Sequence, residues 1–311
     1  MSQKGSYILN SSNWLQFLGV LLLLGFTVYG ILTFHQEDWD YIWKILYNKS
    51  EVILLVLTLR LIDWVIDFGV WRYVLFLYGI SISFINSILV YMTQGAGILL
   101  PVQMGRVVRG YVLSKKFNVL GELCFVAELH MLIVVFSGAF LTFSIFLGEY
   151  ANMRFFIWVT SFAGLTIIWI FIRYGGKLFI KLFPYLPQVK GGYLAYLILS
   201  IVCALGWFIN GLIFFYLLES DGTNLSFVEA QLVLLGGVFL GAISGIPGGL
   251  GILEMVLGVS LYWFNIKTPE IIIVISIFRL LTYWLWIPLG WLAMVILGIR
   301  SISKGLQKET L

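Results

Sequence analysis

Pro247-Gly248-Gly249-Leu250-Gly251-Ile252-Leu253-Glu254 interrupts a long apolar run. Proline removes a backbone donor and the glycines remove side chains, so this stretch breaks a helix instead of continuing it. At membrane depth the freed backbone groups find no water. Such a break survives only against protein or a water-filled cavity. An echo lies in the first half: Pro101-Val102-Gln103-Met104-Gly105, followed by Arg106 and Arg109. Position 247 minus position 101 is 146, close to half of the 311 residues. Each half thus holds one broken helix with charge beside it, the pattern of a duplicated membrane unit enclosing a pathway. Close packing of small residues accounts for the glycines but not for proline or for the neighbouring Arg and Glu. Pro101, Gly105, Pro247, Gly248, Gly249 and Gly251 are the candidate hinges.

Around these breaks the chain is 61% hydrophobic and 11% charged, with mean hydropathy +1.00. Several stretches suffice to cross about 30 Å of hydrocarbon, which reads as an all-α polytopic membrane protein forming a single integral membrane domain over 1–311. Trp14 to Phe34 reads as a first span, not a cleavable leader, since no small-residue cleavage pattern follows it. Further spans are expected near 52–71, 121–147, 154–173, 192–218 and 270–298, with broken segments near 75–113 and 230–264. Arg173, Lys177, Lys181 and Lys190 crowd one loop and Arg300, Lys304 and Lys308 the tail, whereas Glu219, Asp221 and Glu229 populate another loop. The positive-inside rule then puts both termini in the cytoplasm of a bacterial or archaeal membrane.

If 75–113 is a hairpin entering and leaving on the cytoplasmic side, 230–264 enters from outside. The first repeat (about 52–147) and the second (about 192–298) then form an inverted-topology pair, for which alternating access is the natural mechanism. A rival topology makes each hairpin two full spans. Against it, 101–114 is short and holds Arg106 and Arg109.

Charges inside the apolar segments are the candidate site. Arg60, Asp63 and Asp67 stand at i, i+3 and i+7, so they share one helix face and can neutralise one another. A central charge costs about 2.5 to 3.5 kcal/mol on insertion scales, so that face avoids lipid. Arg106 and Arg109 follow the first break, where guanidinium groups can reach phosphate or the head-group layer; Gln103 lies beside them. Glu254 follows Gly251 by three, and Arg279 lies deep in the last span, so the two can pair. Glu128 and His130 fall inside the third of these spans. A lone intramembrane His reads first as a hydrogen-bonded core residue and second as a proton relay.

Trp43, Tyr47, Trp71, Trp263, Tyr283, Trp284 and Trp286 read as interfacial anchors. Cys124 and Cys203 lack metal or redox spacing, and with His35 and His130 as the two histidines no metal site or cofactor is expected. Phosphate-loop, dinucleotide and nucleophile-elbow motifs are missing, which argues against an ATP-driven pump and against nucleic acid as a partner.

Pro247-Gly248-Gly249-Leu250-Gly251 with Glu254, preceded by Pro101, Gly105 and Arg109 and followed by Arg279, resembles the transmembrane region of the lysylphosphatidylglycerol synthase/flippase family over nearly the whole chain. The sequence departs from the family pattern at Arg106, where an acidic residue is common, and at Glu128-Leu129, where a Glu-Arg pair is common. The soluble transferase domain of lipid-synthesising members does not follow here. The resemblance therefore implies lipid movement, not synthesis.

The expected activity is that of a lipid flippase-like transporter for an anionic phospholipid or a polyprenyl-phosphate-linked lipid. Arg106, Arg109, Gln103, Glu254 and Arg279 would meet the substrate; Arg60, Asp63, Asp67, Glu128 and His130 would line or couple the cavity. A homo-oligomer and a complex with a lipid-modifying enzyme are both compatible with the sequence. Two other classes compete: a membrane-embedded head-group transferase using Glu254 or Glu128, and a scaffold for a glycosyltransferase. The transferase lacks a donor-binding motif, and the scaffold lacks a long polar docking surface.

Overall fold

The computed structural model describes residues 50–98, 105–179, 191–218 and 225–298. The chain divides into two compact units, Met1–Ser50 and Glu51–Leu311. All described residues but Ser50 belong to the second, which is the subject here. The expected first span at 14–34, Pro101 and Gln103 lie outside the described residues.

Among those residues the structure is helical. Helix α1 (Ser50–Leu77) is followed by α2 (Phe84–Met92), a 3-10 segment (Thr93–Gly97), α3 (Gly105–Phe117) and α4 (Gly121–Tyr150). After α5 (Arg154–Phe179) come α6 (Tyr193–Leu218), α7 (Phe227–Ile243), a second 3-10 segment (Pro247–Gly249) and α8 (Ile252–Trp263). The chain closes on α9 (Thr268–Arg279), a π turn (Leu280–Trp284) and α10 (Trp286–Ile296). The order long helix, broken pair, long helix thus occurs twice, with α5 between the two runs.

Local chemistry sets these boundaries. Ser226 and Glu229 form a reciprocal capping box that opens α7: Glu229 N–H donates to Ser226 Oγ (3.3 Å) and Ser226 N–H to Glu229 Oε2 (2.8 Å). Ser83 caps α2 by accepting from Asn86 N–H. Asn118, Asn152 and Asn265 take left-handed backbone in the turns before α4, α5 and α9. Helix α1 runs through Gly69 and past Trp71, the expected span end, to Leu77, and stops where Gly79 turns the chain at φ 71°. The first broken pair accordingly starts at Phe84 instead of residue 75.

Three helical runs among the described residues are long and apolar enough to cross a membrane: Gly121–Tyr150, Tyr193–Leu218 and Thr268–Ile296, with mean hydropathy 2.3, 2.3 and 1.9. The protein is an integral membrane protein. Helix α1 has 28 residues, about 42 Å of rise, but carries Arg60, Asp63 and Asp67 in its middle. By contrast α7 has 17 residues, α8 has 12 and α3 has 13, so each rises at most about 26 Å and falls short of the hydrocarbon thickness.

Two hydrophobic cores hold the unit. One joins α1, α2, α3, α4 and α6 around Trp71, Val74, Val112 and Met131; the other joins α6, α7, α8 and α9 around Phe214, Leu234, Leu257 and Phe278. Helix α4 packs along α6, and small residues permit it: a Cβ on Gly138 would lie 2.6 Å from Cys203 Cβ and 2.8 Å from Ala204 N. Cys203 and Cys124 are therefore buried packing residues, both free thiols. The first 3-10 segment seats against α3 and α10.

Candidate functional site

The first break begins with Thr93, whose buried hydroxyl donates to the Val90 carbonyl (2.6 Å) and draws the chain out of the α ladder into the 3-10 turn. Gly105 then starts α3 packed on its own hairpin, where a Cβ would fall 3.4 Å from the Gln94 carbonyl carbon. One turn further on, Arg109 points inward and is fully buried. Its Nε donates to Glu128 Oε1 (2.9 Å), Nη2 donates to Glu128 Oε2, and Nη1 donates to Gln94 Oε1 (3.1 Å). Trp71 Nε1 also donates to Glu128 Oε1 (2.9 Å). The guanidinium plane sits 4.8 Å from the Trp71 ring and 5.1 Å from the Tyr91 ring, a cation–π box. Every guanidinium nitrogen of Arg109 has an acceptor, so this residue, expected from sequence to meet the substrate, is engaged within the protein. Its bidentate fork joins the break to α4.

The second break is built the same way with the charges exchanged. Gly248, Gly249 and Gly251 all take positive φ, at 58°, 64° and 82°, a path that only glycine follows without strain. Glu254, in the first turn of α8, accepts Gly251 N–H at Oε2 (2.7 Å), while Arg279 Nε on α9 donates to Oε1 (2.5 Å). Arg279 Nη2 reaches back to the Gly248 carbonyl (3.0 Å), one of the groups the break leaves open. In the first half the hairpin carries Arg and the following long helix Glu; in the second the hairpin carries Glu and the long helix Arg. The expected Glu254–Arg279 pair is present.

Tyr283 joins the two breaks. A Cβ on Gly248 would overlap its ring, Arg279 lies 4.8 Å above that ring, and its hydroxyl donates to the Ile98 carbonyl (3.2 Å) at the end of the first 3-10 segment. The π turn at Leu280–Trp284, for which the sequence has no marker, shifts the register between α9 and α10 and brings Tyr283 here. Tyr283→Phe keeps the ring but orphans the Ile98 carbonyl. The expected loss is about 1 kcal/mol, with faster amide exchange in the peptide covering 93–98, read by hydrogen-exchange mass spectrometry.

On α1, Arg60 pairs with Asp63 and its Nη1 also reaches Asn210 Oδ1 on α6 (3.3 Å); Tyr91 donates its hydroxyl to Asp67. On the shared face expected from spacing, Arg60 and Asp63 thus offset each other, with Asp63 8% exposed, whereas Asp67 is held by a neutral hydroxyl. His130 is buried edge-on against Tyr78, and its Nδ1 has no hydrogen-bond partner among the described residues. Arg106 differs from Arg109: it is partly buried, and its Nη1 is buried without a hydrogen-bond partner among the described residues. Gly251 faces open space, whereas Gly105 does not.

The aromatic residues correct the sequence reading. Trp71 is fully buried and Tyr283 is 4% exposed, so these two are core residues and not interfacial anchors, while Trp286 is half-buried with its indole nitrogen covered. Trp263, at 79% exposure, fits the anchor role. Gln94 and Tyr91 were not singled out from sequence. A glutamine opening the Gln94-Gly95-Ala96-Gly97 stretch inside an apolar run was the available signal for the first.

The family model described as Lysylphosphatidylglycerol synthase TM region matches residues 13–290. No curated protein matches the chain.

Proposed function

The chain belongs to the lysylphosphatidylglycerol synthase TM-region family, a lipid-related membrane family, and we propose that it moves an amphiphile with a phosphate-bearing head group between leaflets. The cargo is an anionic phospholipid or a polyprenyl-phosphate-linked lipid, and the mechanism is alternating access of two inverted repeats with re-entrant hairpins. One observation carries the reading: two helix breaks, each held to the next long helix by an Arg–Glu pair of opposite sense, share a single tyrosine contact. Such an assembly has two sets of movable contacts around one centre, which is what alternate opening requires.

Within this scheme the roles of the two first-half arginines separate. Arg109 holds the hairpin to α4, and Arg106, with a buried nitrogen lacking an acceptor among the described residues, supplies the head-group contact. Glu254 and Arg279 do the holding in the second half, and the glycines at 248, 249 and 251 with Pro247, Pro101 and Gly105 provide the hinges. The transferase alternative loses support from the same geometry. Glu128 already accepts three hydrogen bonds and Glu254 two, so neither carboxylate is poised to act as a base.

The test is protein reconstituted into liposomes without ATP, with a labelled anionic amphiphile in one leaflet. Wild type equilibrates the label; Arg106→Gln lowers the rate about tenfold or more, the loss of one charge-assisted contact, while thermal stability in detergent is unchanged. Arg106→Lys regains part of the rate, because an ammonium keeps the charge but not the fork. Wild-type rates equal to those of empty liposomes across several lipid classes would sink the transport reading.

A further inference from the structure

Three hydrogen-bond donors in the α1–α10 contact have no acceptor among the described residues. Trp64 and Trp286 stack with centroids 6.1 Å apart and planes 12° from parallel, and the Arg60 guanidinium lies 5.6 Å from the Trp286 ring. Trp64 Nε1, Trp286 Nε1 and Arg60 Nε are all buried, and none has a hydrogen-bond partner among the described residues. The nearby carboxylates are already engaged, Asp63 by Arg60 and Asp67 by the Tyr91 hydroxyl. Buried polar groups in folded proteins are almost always paired, so three orphan donors around one ring stack ask for a partner that the described residues do not supply.

We propose that Arg60, Trp64 and Trp286 form a subsite for the oxygens of a phosphodiester head group. Indole and guanidinium N–H groups only donate, so a ligand that satisfies them must bring acceptors. Two indoles are uncharged, Asp63 offsets the charge of Arg60, and Asp67 adds a carboxylate on the same helix face, so the site carries no net positive charge. That balance suits a monoanion, with two non-bridging oxygens to share among three donors, better than a phosphomonoester or a pyrophosphate. Access lies at Arg60, whose side chain is 18% exposed. The location is also apt: a Cβ on Gly95, in the first break, would run into the Trp286 backbone, so movement of that break displaces one wall of the subsite. The subsite deepens the transport reading and rests on it for one point, that the ligand is a membrane lipid.

Trp64→Phe and Trp286→Phe test it, since each keeps the aromatic stack and removes one donor. Purified full-length protein is titrated with mixed micelles of dioleoylphosphatidylglycerol, dioleoylphosphatidic acid or dioleoylglycerol, reading retained lipid by native mass spectrometry and the lipid-dependent rise in melting temperature. Wild type is expected to bind the phosphodiester most tightly and the phosphate-free lipid not at all. Each variant loses roughly tenfold in phosphodiester affinity, the effect of one hydrogen bond to an anion. Without lipid, each melts no lower than wild type, because an orphan donor has gone. Unchanged affinity in both variants, or lower lipid-free melting temperatures with affinity intact, would overturn the subsite in favour of a purely structural stack. Displacement of the lipid by inorganic phosphate would overturn the lipid source and keep the donors' role. Lipid binding that behaves as expected beside inactive liposomes defeats transport but not the subsite; normal scrambling with variants that bind like wild type does the reverse.

Discussion

Glu128→Gln destabilises the protein by about 3 to 5 kcal/mol, the cost of leaving one partner of a buried ion pair without its counter-charge. Arg109 is fully buried, and its other neighbours, the Gln94 amide and the Trp71 and Tyr91 faces, carry no full negative charge. Arg109→Met is equally damaging from the other side, because it strands the carboxylate. The pair as a whole is worth much less than either half suggests, since desolvating two ions offsets most of their attraction. The double variant Arg109→Met with Glu128→Gln therefore recovers most of the loss, the glutamine oxygen still accepting from Trp71 Nε1. Unfolding by detergent titration across the four proteins measures this as a double-mutant cycle. Single variants as stable as wild type would show that the pair does not hold the hairpin. The same assay separates Arg109 from Arg106, whose Gln variant keeps its stability.

How the sequence could suggest both arginines for one role and yet place only one of them follows from periodicity. Spacing of three puts Arg106 and Arg109 near one face, but which of the two finds a carboxylate depends on where Glu128 falls on α4, 19 positions later. Local pattern does serve where the interaction is local. Arg60 and Asp63 pair within one helix turn, as their i, i+3 spacing requires. The two breaks were legible because proline and clustered glycine act through their own backbone, and Glu254 with Arg279 because both are charges that lipid cannot take. The tryptophans failed for a complementary reason: an indole at the end of an apolar run satisfies the interfacial pattern equally well when a partner helix covers it. Trp71 and Trp286 are covered by such partners, and nothing in their neighbours along the chain tells them from Trp263. The π turn before α10 is likewise silent in sequence, yet it brings Tyr283 between the breaks.

Gly95→Ala and Gly290→Ala are expected to cost about 3 kcal/mol each, at the upper end for overpacking, because the obstacle is backbone. A Cβ on Gly95 would collide with the Trp286 carbonyl oxygen and stand 2.7 Å from its carbon; one on Gly290 would collide with Ala96 N and stand 2.7 Å from the Gly95 carbonyl carbon. No side-chain rotation relieves either clash, so α10 and the first break must separate. Separation moves Trp286 off Trp64 and pulls Tyr283 away from Ile98, undoing the contact between the two breaks. Transport therefore falls together with stability, whereas Arg106→Gln lowers transport alone. Gly236→Ala and Gly258→Ala are the controls: both lie inside helices, a Cβ at either meets nothing within 4 Å, and alanine there adds up to about 1 kcal/mol of helix preference. Thermal melting in detergent and liposome scrambling of the four variants decide the matter. If Gly95→Ala melts with wild type, α10 does not clasp the first break, and the coupling of the two halves through Tyr283 loses its mechanical basis.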